Sequence, residues 1–305
     1  MNPEHNDPSD TAQPAGRPPR ESPWVELRSG SPNPLIYQKM LRQVDPLAKP
    51  GDIVAVYDKS GAFFGRALFN SHSQIPLRML TGRAEPVDDA FWRKRLSDAF
   101  ELRKRWRLDE QSDAYRLVHA EGDGLSGLIL ERYADCFVFE LFSLGMWQRV
   151  ALLAKIAGEL LGPPTSLDRP HKATGNWRVV ARADKRIEQL EGFRVPPAGN
   201  DESRANPVIR EHGVRYRVDT SAGHKTGFFC DQRDNRRRIA EICRDGTLLD
   251  VCCCTGGFSL CAKVFGGARE VTGVDLDEKA LEAARENANL NQARVDFVHA
   301  DAFVY

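Results

Sequence analysis

The sequence predicts a multidomain α/β protein, and three observations carry that expectation. Between Trp24 and Pro86, short runs of alternating apolar residues are broken by turn residues, the pattern of an all-β unit. From there to Thr220, helical and strand-like patterns follow one another as in an α+β unit. From Gly246 to Asp277 the chain reads GTLLDVCCCTGGFSLCAKVFGGAREVTGVDLD. A strand, a glycine turn, a helix, a second strand and an acid make the opening βαβ unit of a nucleotide-type fold.

The length of 305 residues suits two or three domains, and 41% hydrophobic residues suffice for ordinary globular cores. Lys and Arg number 43, as do Asp and Glu, so no global field draws the chain to RNA or to a membrane. Any basic surface must be local. No apolar run approaches the roughly 18 residues of a spanning helix, and the N-terminus has no apolar signal segment. Seven cysteines, three of them consecutive, fit a reducing cytoplasm better than a disulfide framework. Adjacent residues on a strand point to opposite sides, so Cys252, Cys253 and Cys254 make a poor metal site, and no metal is expected.

In chain order, residues 1–22 are rich in Pro, Asp, Asn, Gly and Arg and predict a disordered tail. Residues 23–86 form the all-β unit: PGDIVAVYD, a turn at Lys59-Ser60-Gly61 and AFFGRALFN predict a hairpin, and SQIPLRMLT a further strand. Residues 87–220 form the middle domain. Its first element, Asp88 to Arg107, predicts a helix whose apolar side is Phe91, Leu96, Phe100 and Leu102. Arg93, Lys94, Arg95, Arg103, Lys104, Arg105 and Arg107, with Trp92 and Trp106 between them, would suit RNA phosphates and stacked bases, or would be an ordinary solvated face. Strands follow at YRLVHAE, GLILERYA and VFELF, then an amphipathic helix from Trp147 to Leu161, a strand at Leu167 to Asp168, a polar loop from Pro196 to Pro207 and a strand from Arg215 to Thr220. Residues 221–305 begin with SAGHKTGFFCDQRDNRRRIAEI, whose helix starts near Asp231, an acid its dipole favours.

The last βαβ unit narrows the ligand. A dinucleotide fold asks for G-x-G-x-x-G, but here two glycines are adjacent and no third follows. S-adenosylmethionine (SAM) needs less, because it has no pyrophosphate to cradle. An acid ending a buried first strand (Asp250), a small turn (Thr255, Gly256, Gly257, with Phe258 opening the helix) and an acid ending the second strand (Asp275) meet that need. Asp301, after a third strand in VDFVHADAF, would lie near the adenine amino group. The ordered set favours SAM over NAD.

YRLVHAEGDGLSGLILERY, GHKTGFFCDQRDNR and LLDVCCCTGGFSL together resemble the large-subunit rRNA methyltransferase family of the 5-methylcytosine type, over about Ser31 to Tyr305. NPLIYQKML departs from the Gly-His-Pro-Trp-Val segment usual there. The resemblance implies a PUA-like RNA-binding β-barrel, an α+β middle domain of EEHEE type and a partial Rossmann-like SAM-dependent methyltransferase domain. It implies that Lys225, Thr226, Gly227, Phe228, Gln232 and Arg233 lie beside the cofactor; Arg233, Arg236, Arg237 and Arg238 could reach its carboxylate or RNA phosphates, the last two otherwise forming a solvated helix face. Its Asp-Pro-Pro and Ser-Cys-Ser segments do not occur before Tyr305, so no catalytic residue is assigned, and a C-terminally truncated chain is expected, with at most weak SAM binding unless another chain supplies the missing half. Ribosomal RNA is the expected partner, and a homodimer is a candidate assembly. Three rivals stay open: an RNA-binding remnant without catalysis, a methyltransferase of another base such as guanine N7, and NAD-dependent chemistry.

Overall fold

The computed structural model describes residues 20–164, 176–196, 206–220 and 228–305. The first unit is a six-stranded sheet built from β1 (Trp24–Leu27), β2 (Leu35–Ile36), β3 (Leu41–Val44), β4 (Ile53–Tyr57), β5 (Phe63–Phe69) and β6 (Leu77–Thr81), in the order β2-β6-β5-β4-β1-β3. The expected hairpin pairs Val54 with Ala67 and Val56 with Gly65. Its pairs are antiparallel except β1 with β4. Val25, Leu27, Ile36, Val54, Val56, Ala67 and Leu77 close its core. The predicted tail lies almost wholly outside the described residues.

Helix α1 (Asp89–Arg105) is capped by Asp88, whose carboxylate accepts the Phe91 N–H. A four-residue α2 (Leu108–Gln111) leads into β7 (Ala114–His119), β8 (Leu128–Tyr133) and β9 (Cys136–Leu141). A short α3 (Leu144–Trp147) and the apolar α4 (Val150–Leu161) follow. The sheet is completed by β10 (Arg178–Arg182), parallel to β9, in the order β10-β9-β8-β7. Neither β10 nor the following α5 (Lys185–Glu191) was assigned from the sequence, and the strand expected at Leu167 to Asp168 lies outside the described residues.

This middle sheet is covered on both faces, which explains the apolar run Cys136–Phe139 that opens β9. Phe137, Phe139 and Leu141 face α1 and α4, whereas Cys136 and Val138 face a hairpin of β11 (Val208–Glu211) and β12 (Val214–Arg217). On α1 the sequence reading is corrected. Trp92 is 2% exposed and belongs to the core, while Leu102 is exposed. The basic surface is largely neutralised: Arg103 is buried in a bidentate pair with Asp123, and Lys94, Lys104 and Arg107 meet Asp98, Glu101 and Glu110. Arg93 pairs with Glu159. Trp106 alone of the two tryptophans remains open, at 62%.

The last unit comprises α6 (Arg233–Ile242), β13 (Thr247–Val251), α7 (Gly257–Leu260, continued by a π-turn at Cys261–Phe265), β14 (Glu270–Asp275), α8 (Glu278–Leu290) and β15 (Asp296–His299). Its three strands are parallel in the order β13-β14-β15. The expected strand LLDVC is parallel and, as its expected unpaired edge and half-covered face require, lies at the sheet edge with Leu249 and Val251, on one face, about half exposed. The β11–β12 hairpin joins this unit to the middle domain. Ser112 bridges to Glu211 on one side, and on the other Asn291 Oδ1 accepts the Arg215 N–H at 2.9 Å.

Candidate functional site

In parallel sheets ligands bind at the carboxyl ends of the strands, where loops diverge and helix N-termini converge. Here that rim carries carboxylates. Asp250 is paired with Gly273 in the ladder, and its Oδ2 accepts the Ser259 N–H at 3.0 Å and the Ser259 Oγ–H at 2.6 Å. It thus ties the end of β13 to the first turn of α7. Burial pushes its carboxyl above the usual range, and the two Ser259 bonds oppose the shift. Asp275, one strand over, holds two loops together: Oδ2 accepts the Cys254 N–H at 2.8 Å and Oδ1 the Asp277 N–H at 2.9 Å. Each oxygen keeps acceptor capacity for one further donor, so the pair of ribose hydroxyls is a chemical match. The Asp275 carbonyl also accepts the Ala300 N–H at 3.2 Å, which draws the half-buried Asp301 to the same rim.

Between the carboxylates runs Cys252 to Gly257. Gly256 has φ +78°, and a Cβ there would sit 3.1 Å from Phe297 Cζ and 3.2 Å from Ala284 Cβ, so the turn has no room for a side chain. The Gly257 carbonyl accepts the Tyr216 hydroxyl at 3.2 Å, and Thr255 offers its carbonyl to Asn287 Nδ2 at 3.5 Å. Phe258 is half-buried. Asp250, Thr255, Gly256, Gly257, Phe258, Asp275 and Asp301 therefore all lie on the strand ends of this sheet or on the segments that follow them. Sequence reasoning passed over Ser259, Asp277, Gly273 and Phe297. Asp277, which caps α8 by accepting the Lys279 and Ala280 N–H groups, had a legible signal as an acid opening a helix. Phe297, whose ring leaves no space for a side chain at Gly273, had none.

The preceding run divides differently. Lys225, Thr226 and Gly227 lie outside the described residues. Phe228 does not open on that rim: its ring is buried against Tyr216 (5.1 Å between centroids) and under the Arg236 guanidinium at 4.5 Å. Gln232 is half-buried and its Oε1 accepts from Asn235. Arg233 approaches Asp234 at 3.4 Å, and its Nε is buried without a partner. Arg236 was expected at the cofactor or at RNA, and the structure overturns that. It is 2% exposed and forms a bidentate pair with Glu211, at 2.6 and 2.8 Å. Arg237 approaches Glu241 at 3.8 Å, and Arg238 is exposed.

A groove of about 1020 Å³ lies elsewhere, between the β2–β6 edge of the barrel and α1. Its cations Arg83, Lys94 and Arg95 face Glu85, Asp88 and Asp98, so it lacks the single-signed field of a phosphate track. Among the described residues no helix is long and apolar enough to cross a membrane, and no group of three His, Cys, Asp or Glu is arranged for a metal ion.

The fold and the rim define a PUA-like domain joined, through an α+β middle domain, to a SAM-dependent methyltransferase fold. Residues 26–82 match the family model of the PUA-like domain, and residues 207–302 that of the TRM5/TYW2 methyltransferase domain. Among individual proteins, the chain is 32% identical over 277 residues to the ribosomal RNA large subunit methyltransferase I of Aliivibrio fischeri, covering 89% of this chain and 66% of that one. It is 35% identical over 278 residues to the protein of the same name from Aeromonas hydrophila, with the same coverages. The chain thus spans about 66% of the length of these relatives. Among solved structures, a methyltransferase complexed with S-adenosylhomocysteine (SAH) superposes with a TM-score of 0.66 at 19% identity, over 92% of this chain and 70% of that one. A SAM-dependent methyltransferase from Streptococcus mutans superposes with a TM-score of 0.66 at 20% identity, over 92% and 72%.

Proposed function

We propose that this chain is a SAM-dependent large-subunit rRNA methyltransferase acting on cytosine C5, with its nucleoside crevice at the β13–β14 rim. The single observation that carries the cofactor is the convergence of Asp250, Gly256 and Asp275. An acceptor free for two hydroxyls stands beside a turn that excludes side chains, and no third glycine is placed for a pyrophosphate. In this reading Asp275 accepts the ribose hydroxyls and Asp301 lies by the adenine. Asp250, held by Ser259, fixes the first turn of α7, whose backbone N–H groups face the amino-acid part. In the same reading Gln232 and Arg233 border that space from the α6 side, and Lys225, Thr226 and Gly227 are cofactor-binding candidates on the family resemblance alone. The cofactor, when bound, supplies an electrophilic methyl group on a sulfonium.

The chain's own share is to bind and orient. Methyl transfer to cytosine C5 also requires a thiolate that adds at C6 and a base turned out of its stack. None of the cysteines is assigned that role. The barrel and the exposed end of α1, with Trp106 and Arg105, are the surfaces for rRNA. A cytoplasmic setting follows from that substrate.

Titration calorimetry with SAH tests the cofactor. Asp275→Ala removes a charged acceptor, and about 1.5–3 kcal/mol is at stake, or roughly ten- to a hundredfold in Kd. Heat on adding NADH with none on adding SAH would sink the reading. Transfer of tritiated methyl from SAM to a large-subunit rRNA transcript, followed by nucleoside mass spectrometry, identifies the base: 5-methylcytidine supports the proposal and 7-methylguanosine replaces it. SAH binding and rRNA binding with no methyl transfer would leave the RNA-binding rival for this chain.

A further inference from the structure

We infer that the groove between the barrel and α1 reads an unpaired guanine in single-stranded RNA, with Arg95 the residue that contacts the base. The inference deepens the rRNA reading above and rests on it. Phe91, Lys94, Arg95 and Asp98 follow one another at helical spacings of three and four, so α1 turns one face to the groove. The barrel supplies the facing wall from Phe64 and from β6 with the segment after it, where Thr81, Arg83 and Glu85 stand. The cavity thus belongs to neither unit alone. Its volume of about 1020 Å³ lies at the top of the range for small-molecule pockets, roughly 300–1,000 Å³, and leaves room for a nucleotide with its neighbours.

Arg95 is held in place from within the fold. Its Nη2 donates to the Leu80 carbonyl at 3.0 Å, and its guanidinium lies 5.0 Å from the centre of the Phe91 ring. Gly124, at φ +68°, gives it space, because a Cβ there would stand 2.9 Å from Nη1. Yet among the described residues neither Arg95 nor Arg83 is paired with a carboxylate. A guanidinium carries five N–H donors, and the Leu80 bond uses one. A planar fork that is already ordered loses little freedom when a two-point acceptor arrives.

The mixed charge of the groove decides what the fork meets. Glu85, Asp88 and Asp98 disfavour a run of phosphates or a carboxylate. A base edge instead carries acceptors and donors side by side. Guanine offers O6 and N7 to an arginine fork, and its N1–H and N2–H suit a carboxylate. Glu85 is half-buried, and one of its oxygens accepts the Thr81 hydroxyl at 2.6 Å while the other stays able to accept. Asp98 meets Lys94 in an exposed pair that is worth little and exchanges readily. Adenine puts an amino group where guanine has O6 and would meet the guanidinium donor to donor. Arg83, exposed on the same wall, suits the adjoining phosphate. A peptide strand is the poorer occupant, because the Leu80 carbonyl on β6 already accepts from Arg95.

Fluorescence anisotropy of the native chain with short single-stranded oligoribonucleotides tests this. Uridine oligomers with one central guanosine should bind about tenfold tighter than those with adenosine, the size of one good bidentate contact. 7-Deazaguanosine lacks the N7 acceptor and should lose that advantage with the protein untouched. A 4-thiouridine beside the guanosine should photocrosslink to α1 or to the β6 wall, as mapped by mass spectrometry. Arg95→Lys keeps the charge without the planar fork and should erase the guanine preference. The 7-deaza comparison uses the native chain, so its outcome does not depend on how the variant folds. Equal binding of guanosine and adenosine, a crosslink elsewhere, or a preference that survives Arg95→Lys overturns the inference. Binding of no oligomer overturns it too and leaves the groove to a protein partner. SAH calorimetry separates this inference from the cofactor reading. SAH binding without guanine preference fails the groove assignment alone, and guanine preference without SAH binding or methyl transfer fails the methyltransferase reading alone.

Discussion

Replacing Arg236 by Met should be among the costliest single changes in this chain. The guanidinium donates to both oxygens of Glu211, at 2.6 and 2.8 Å, with the two side chains 2% and 1% exposed. It also donates to the Phe229 carbonyl at 3.1 Å and lies over the Phe228 ring at 4.5 Å. Methionine keeps much of the volume, so the loss is electrostatic: Glu211 stays buried with its counter-ion removed. Breaking a buried pair from one side costs about 3–5 kcal/mol, and a desolvated cation–π contact contributes on the order of 2 kcal/mol within that figure. Because the pair links the β11–β12 hairpin to α6, the loss is felt across the join between the middle and last units. Urea denaturation followed by circular dichroism reads it, with Glu211→Leu and the double variant closing a thermodynamic cycle. The double variant should recover most of the stability, since an apolar pair of similar volume replaces a buried ion pair at little cost. A single-variant loss below about 1 kcal/mol, or a double variant no better than the sum of the singles, would refute the argument.

Glu191→Ala should loosen the barrel from the middle domain. Its carboxylate accepts from Asn70 Nδ2 at 3.0 Å, the Ser73 hydroxyl and the Leu144 N–H, and lies 3.7 Å from Arg78, so about 3–5 kcal/mol is lost and limited proteolysis should separate the two units sooner. Gly256→Ala places a Cβ against Phe297 and Ala284 at φ +78°, and a loss of at least ~1–2 kcal/mol in urea is expected; an unchanged midpoint would show that the turn is slack. Asp250→Asn should act with pH. Burial raises the folded-state pKa of Asp250, so its contribution to stability is full below the unfolded pKa and is lost as pH rises through the folded one. The asparagine variant should therefore be more stable than the native chain near neutrality and indistinguishable below about pH 3, where the carboxyl is protonated in both states. The reverse order at pH 7 would contradict the burial argument.

Much of this architecture was legible because the deciding interactions are local. The β4–β5 hairpin follows from alternation around Lys59-Ser60-Gly61, and the β13–α7–β14 unit from an apolar run, a glycine turn and two acids in order. What stayed hidden depends on partners distant in sequence. Trp92 and Trp106 look alike on α1, yet Trp92 is core and Trp106 is open, because α4, some fifty residues later, covers one and not the other. Arg236 sits in a run of cations that suits phosphate, and only Glu211, 25 residues earlier, withdraws it. The same reasoning separates the acids at the rim. Asp250 and Asp275 look equivalent as strand-ending carboxylates, but their bonds differ in kind. Asp250 has one oxygen doubly engaged by Ser259, a structural tie within the first turn of a helix. Asp275 spreads single bonds over both oxygens, which leaves each able to accept once more. A ligand bearing two neighbouring hydroxyls can use the second arrangement and gains little from the first. The division of labour between the two acids is thus set by Ser259 and Cys254, residues that no motif for a nucleoside site would name.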